Sequence, residues 1–259
     1  MNKFASLRGL GAAMVAVVGF SQALTGRTVA PAAPEFVASA VTPSLEITPR
    51  DVAASNEKVR SAHAALISMW GGDFNQIGRR FAAPDLIPYY GGVRTGCGIM
   101  RGSNALYCPG DNTIYFDEVF VAAQAKSAAQ QLGTDGDMAA VGIIAHEMGH
   151  AVAMQLGHIS RVSYQNESTA DCLAGAFAKH AGTDGSLGKG DIEEAFYAMS
   201  TAGDPEPQLT GDAQRDGWIL ARLARRGHGT REQRMSNFKT GLDGGAGACL
   251  PEFVGLKGS

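Results

Sequence analysis

The 259-residue chain lacks several features, and each absence narrows what it can do. No long run of basic residues occurs and the formal net charge is −3, which argues against nucleic acid as a main partner. No internal repeat is present. The apolar stretch Leu10 to Phe20 is roughly half the ~20 residues that a membrane-spanning helix needs. Cysteine is sparse, at four residues: Cys97, Cys108, Cys172 and Cys249. None lies near the N-terminus, so a lipoprotein anchor has no attachment point. No two are spaced Cys-x2-Cys, which weakens any reading of them as zinc ligands.

What is there reads first as an export signal. Lys3 and Arg8 precede the apolar stretch, and Ser21-Gln22-Ala23 is a small-x-Ala cleavage site, so residues 1–23 are expected to be a signal peptide. The destination is then periplasmic or secreted. The alternative is an uncleaved segment anchoring the chain to the inner membrane, the one expected membrane contact. Residues 24–50 are rich in Ala, Pro, Thr and Val without periodicity and read as a flexible tether. Residues 51–259 form the expected single domain, with 45% hydrophobic residues in the whole chain to build a core. An even cysteine count in an exported chain suggests disulfides, although four cysteines allow three pairings. The simplest closes Cys97–Cys108 and Cys172–Cys249, contributing very roughly 3 and 4–5 kcal/mol through chain entropy.

Periodicity predicts an α+β domain, mainly helical, with a small sheet. A helix from Asp51 should stop near Trp70, at Gly71-Gly72. Residues 73–104 look loop-like. Ala105–Cys108 and Thr113–Phe116 flank the turn Pro109-Gly110-Asp111-Asn112 and read as a hairpin. Helices are expected over 117–132, from Asp137 as a cap to Leu156, over 166–180, near 191–199 and 216–224, and over 230–239.

The chemistry lies in "AHEMGH", residues 145–150. Residues four apart on a helix share a face, so His146 and His150 can offer nitrogens to one ion about 2.0–2.1 Å away. Glu147 flanks the ion and can take a proton from an attacking water. His146 follows Ile143-Ile144-Ala145, an apolar setting in which an imidazole needs a partner. The third ligand cannot be of metzincin type, because Ala153 and Leu156 stand where that pattern needs Gly and His. His158, past the helix end, and His63 read as ordinary residues. Downstream, "NESTADCLAG" (166–175) places Glu167 and Asp171 four apart, matching the glutamate-zincin pattern. Glu167 then completes a His-His-Glu site, and Asp171 accepts a hydrogen bond from the other nitrogen of His146.

These stretches resemble the bacterial neutral zinc metallopeptidase family of envelope proteins. The matching pieces, in order, are "TGCG…ALYCPGDNTIYFD" (95–117), "AHEMGH", "ESTADCLAG" (167–175), "GDIEEAFYAMSTAGD" (190–204) and "HGTREQRMSNFKTGLDGG" (228–245). The segment 69–92 fits more loosely, and the likeness covers about residues 50–252. It implies a zincin-like metallopeptidase domain with one catalytic Zn2+ on His146, His150 and Glu167, Glu147 as base, and the two disulfides. Family members often keep an apparent transmembrane helix at the N-terminus, whereas this one looks cleavable. Peptide or protein would be the substrate. The alternatives are a catalytically silent zinc-binding assembly protein and a hydrolase of cell-wall peptide. Two further roles are expected. Thr113–Phe116 is the expected edge strand on which substrate lies. His228 is the candidate oxyanion donor, in competition with Tyr164 and Tyr115.

Overall fold

The computed structural model describes residues 45–256. The signal segment 1–23 and most of the 24–50 tether lie outside the described residues. The fold is mainly helical α+β, with seven α-helices among the described residues.

Helix α1 (Pro49–Gln76) starts at a capping box, in which the Thr48 side chain accepts the Asp51 N–H and the Asp51 carboxylate accepts the Thr48 N–H. It does not stop at Gly71-Gly72, as expected, but runs on for a further turn. Val59, Leu66, Trp70 and Phe74 are buried along it. Packing Phe74 outweighs the ~1 kcal/mol that each interior glycine costs a helix.

The stretch read as loop holds three short strands, β1 (Asp85–Tyr89), β2 (Gly92–Thr95) and β3 (Gly98–Arg101). The latter two pair as an antiparallel hairpin of their own. The expected second hairpin is present: β4 (Ala105–Cys108) pairs antiparallel with β5 (Thr113–Asp117), with Ala105 opposite Phe116 and Cys108 opposite Thr113. Strand β1 adds to β5 in parallel, giving the order β1-β5-β4. Thr113–Phe116 is therefore a central strand, buried on both faces, and not the expected edge. The edge beside the site belongs to β4.

Asp117 caps α2 (Glu118–Leu132) by accepting the N–H groups of Val119 and Phe120. Helix α3 (Asp137–Gln155) is the centre of the molecule, packed against α1, α2, α4 (Ser163–Thr183) and α5 (Asp191–Thr201). It is buried nearly all round, not on one stripe, as expected for a helix without a solvent face. Asp137 is not its cap. That position is Gly136, with a φ of 78° that suits glycine, and the buried Glu194 of α5 accepts the N–H groups of Gly136 and Met138 at 2.8 Å each. Helices α6 (Ala213–Arg226) and α7 (Arg231–Gly244) complete the fold, the latter packed closely on α4. Both disulfides of the simplest pairing are formed, Cys97–Cys108 and Cys172–Cys249. The first ties the β2–β3 turn to β4; the second ties α4 to the segment after α7.

One buried acid in this frame is uncomfortable. Asp73 of α1 is 4% exposed, and its Oδ2 has no hydrogen-bond partner. Burial raises its carboxyl to about 6, against the opposing pull of His180. The folded chain thus holds this proton more tightly than the unfolded chain between about pH 4 and 6, so stability falls as pH rises through that window. Asp73→Asn is expected to stabilise the fold by about 1–2 kcal/mol at pH 8 and by almost nothing at pH 4. Urea denaturation at the two pH values checks this; an equal difference at both would contradict it.

Candidate metal centre

Three donor atoms converge on one point. His146 and His150, one turn apart on α3, bring their Nε2 atoms to 3.1 Å. Glu167 Oε2, from the first turns of α4, lies 3.2 Å from His146 Nε2, and Oε1 lies 3.6 Å from His150 Nε2. Donors bound to a tetrahedral ion at about 2.0–2.2 Å stand roughly 3.4 Å apart, so the triangle has the dimensions of a zinc site with one position open. The donor set of two imidazoles and one carboxylate also suits that metal.

Gly149 makes the convergence possible. A Cβ there would lie 2.8 Å from the carbonyl oxygen of Ala170, so only glycine lets α4 approach α3 this closely. The approach also carries Asp171 to the far side of His146. Its Oδ1 is 2.8 Å from His146 Nδ1, an arrangement that leaves Nε2 facing His150 and Glu167.

The sequence reading missed Arg234. It comes from α7, is 4% exposed and clamps Asp171 with two nitrogens: Nε to Oδ2 at 3.1 Å and Nη2 to Oδ1 at 2.6 Å. Nη1 donates to the carbonyl of Ala202 at 3.1 Å. The guanidinium therefore neutralises a fully buried carboxylate and locks α7 to α4. A signal was available: Arg234, Phe238 and Gly241 recur at helical spacing and form the buried face of α7. Arg234→Met leaves the Asp171 charge buried without its guanidinium and is expected to cost about 3 kcal/mol in urea denaturation. An unchanged midpoint would contradict this.

Charge balance around His146 follows from the same contacts. Burial and the Arg234 cation oppose its protonation, but hydrogen bonds to Asp171 and Glu167 outweigh them and raise its pKa to about 9. Burial and the nearby His146 push His150 down. Glu167 is held at about 2, because the two histidines outweigh the effect of its burial.

Glu147 is 7% exposed and accepts the Tyr107 N–H at 2.8 Å. That N–H points outward from β4, so the edge strand lies directly against the α3 site. Glu147, His146, His150 and Glu167 all line one cleft of about 290 Å³. His228 lines it too, on the loop before α7, where Asp204 Oδ2 accepts the N–H groups of His228 and Gly229. The structure does not bring the two tyrosines there. Tyr164 packs under Gly229 in a neighbouring groove, and the Tyr115 hydroxyl donates to Asp111. His158 pairs with Glu252 at 2.8 Å and lines an adjoining cleft, so it is more engaged than a plain surface residue. His63 pairs with the Pro84 carbonyl.

The chain is similar to the uncharacterized protein YpfJ of Escherichia coli K12, with 35% identity over 202 residues, 71% of this chain and 66% of that protein. It is also similar to the uncharacterized protein Mb2605 of Mycobacterium bovis and to the uncharacterized protein Rv2575 of Mycobacterium tuberculosis H37Rv, each with 30% identity over 64% of this chain and 60% of the relative. The chain thus spans just under two thirds of the length of these relatives. No solved structure matches significantly. The profile of the family described as "Putative neutral zinc metallopeptidase" matches residues 3–253, and the chain belongs to that family.

Proposed function

We propose that this chain is a zinc-dependent peptidase, with the metal on His146, His150 and Glu167 and with Glu147 as the general base. The observation that carries this reading is the donor triangle of 3.1–3.6 Å beside the Glu147 carboxylate, opening into a cleft. When bound there, zinc lowers the pKa of a water and polarises a carbonyl. Glu147 takes the proton of the attacking water and returns it to the leaving amine nitrogen, one group serving as base and then as acid. Its bond from the Tyr107 N–H fixes the carboxylate during both transfers.

Asp171, held by Arg234, keeps the His146 ring turned so that Nε2 faces the ion. His228 stands at the cleft wall, where its ring can donate to the carbonyl oxygen as charge builds on it.

Strand β4 supports a polypeptide substrate, because extended backbone can pair along its outer edge at Ala105, whose N–H and C=O face the same side as the outward Tyr107 N–H. The same cleft has an apolar end at Phe120, Ile143, Ala198 and Met199, which suits an apolar side chain beside the scissile bond. A silent binding protein has no use for a base carboxylate in the same cleft as the donor triangle.

Two disulfides support an oxidising, exported setting. Among the described residues no helix is long and apolar enough to cross a membrane. The reading is tested by peptide hydrolysis with the zinc-loaded chain, against the same chain stripped by a chelator.

A further inference from the structure

We propose that the outward face of α6 is a docking surface for an acidic segment of the polypeptide substrate; that the segment belongs to a substrate rests on the peptidase reading above. Helix α6 has no buried residue along its length. Its outer face carries Trp218, 63% exposed, together with Arg222, Arg225 and Arg226 around one shallow depression. The Arg222 guanidinium lies over the Trp218 ring, 5.5 Å from its centroid. Arg215 lies one turn before. None of these four arginines has a carboxylate partner among the described residues.

The charge is local and out of keeping with the rest. Four arginines face one aspartate within α6, on a chain whose formal net charge is −3. Guanidinium forks match carboxylates, and unpaired ones in this density hold an anionic partner better than water does. Position ties the patch to the site. Arg226 is two residues from His228, no more than about 7 Å along the chain. A peptide leaving the metal cleft past His228 therefore comes within reach of Arg226, where the arginine face begins. A separate groove of about 430 Å³, lined by Tyr164, Asp204, Pro205, Glu206, Leu220 and Leu223, lies against the opposite side of α6. A lipid surface fits less well. Ile219 and Leu223 are half-buried, and the exposed apolar residues Trp218 and Leu220 stand on different sides of the helix, so no continuous apolar face is offered to acyl chains.

The chain reports on its own docking, because its other tryptophan, Trp70, is fully buried while Trp218 is not. The experiment uses the zinc-loaded Glu147→Gln chain, titrated with a ten-residue oligoglutamate and with an oligoglutamine of equal length. Oligoglutamate is expected to shift Trp218 emission saturably, and oligoglutamine to leave it unchanged. Binding should weaken about tenfold or more in 0.5 M salt and in the double variant Arg222→Glu, Arg225→Glu. Wild-type kcat/KM on an apolar-centred peptide should rise about tenfold with an acidic tail, and the double variant should lose that gain while cleaving the untailed peptide normally. No saturable shift, or an equal one in the double variant, overturns the proposal. So does a shift with phosphatidylglycerol vesicles and none with the peptide. Peptide binding without cleavage by the wild-type chain would remove the peptidase reading and leave the acidic-segment surface standing.

Discussion

Glu167→Ala is expected to empty the site of zinc. Two imidazoles on one helix remain, and His146 and His150 alone hold the ion far more weakly than three ligands do. The loss should exceed the roughly 10–100-fold typical when only an outer-shell partner is removed. Competition with a chelating dye gives the affinity directly. The variant should still fold, because the Glu167 side chain lines the cleft while Asp171 and Arg234 hold α4 and α7 together from behind. Full zinc stoichiometry at unchanged affinity would mean that another residue is the third ligand. Among the described residues, the other close group of acids is Asp135, Asp137, Asp191 and Glu194 at the start of α3. Lys58 and the backbone N–H groups of Gly136 and Met138 occupy part of it, and it shares no residue with the histidines.

Glu147→Gln separates binding from chemistry. Glutamine has the same shape and its carbonyl oxygen still accepts the Tyr107 N–H, so fold and metal site should persist. What it lacks is the capacity to take a proton at neutral pH. Turnover is expected to fall about 10²–10⁴-fold, the range for losing a general base, with zinc affinity within a few-fold of the parent. Unchanged turnover would remove Glu147 from the reaction. Loss of zinc together with activity would mean that its carboxylate has a structural part in the metal site.

The grouping of the candidate donors was legible in the sequence because helical spacing is geometry. His146 and His150, then Glu167 and Asp171, are each four apart, and one turn of helix sets what four-apart residues can share. Arg234 was not legible in that way. Its one local signal, the helical spacing of Arg234 with Phe238 and Gly241, marks a buried face but not its partner; Asp171 is met only once α7 is laid on α4 through the close approach of Gly175 and Gly241. The edge strand was misplaced for a related reason. Thr113-Ile114-Tyr115-Phe116-Asp117 is buried at every position, and a continuous run of that kind marks a central strand, whereas the polar-apolar alternation of an edge is missing. Strands β1 to β3 escaped notice because each is four or five residues long and mostly exposed, with Pro88 and paired glycines breaking the pattern. Gly71-Gly72 misled because propensity is local and the burial of Phe74 is not.

The most direct measurement is cleavage of a mixed, unbiased peptide pool by the zinc-loaded chain, with Glu147→Gln run in parallel and products read by mass spectrometry. The account predicts cuts by the parent chain, absent from the variant, with an apolar residue beside the broken bond. No cuts by either protein, with zinc bound in both, would contradict it.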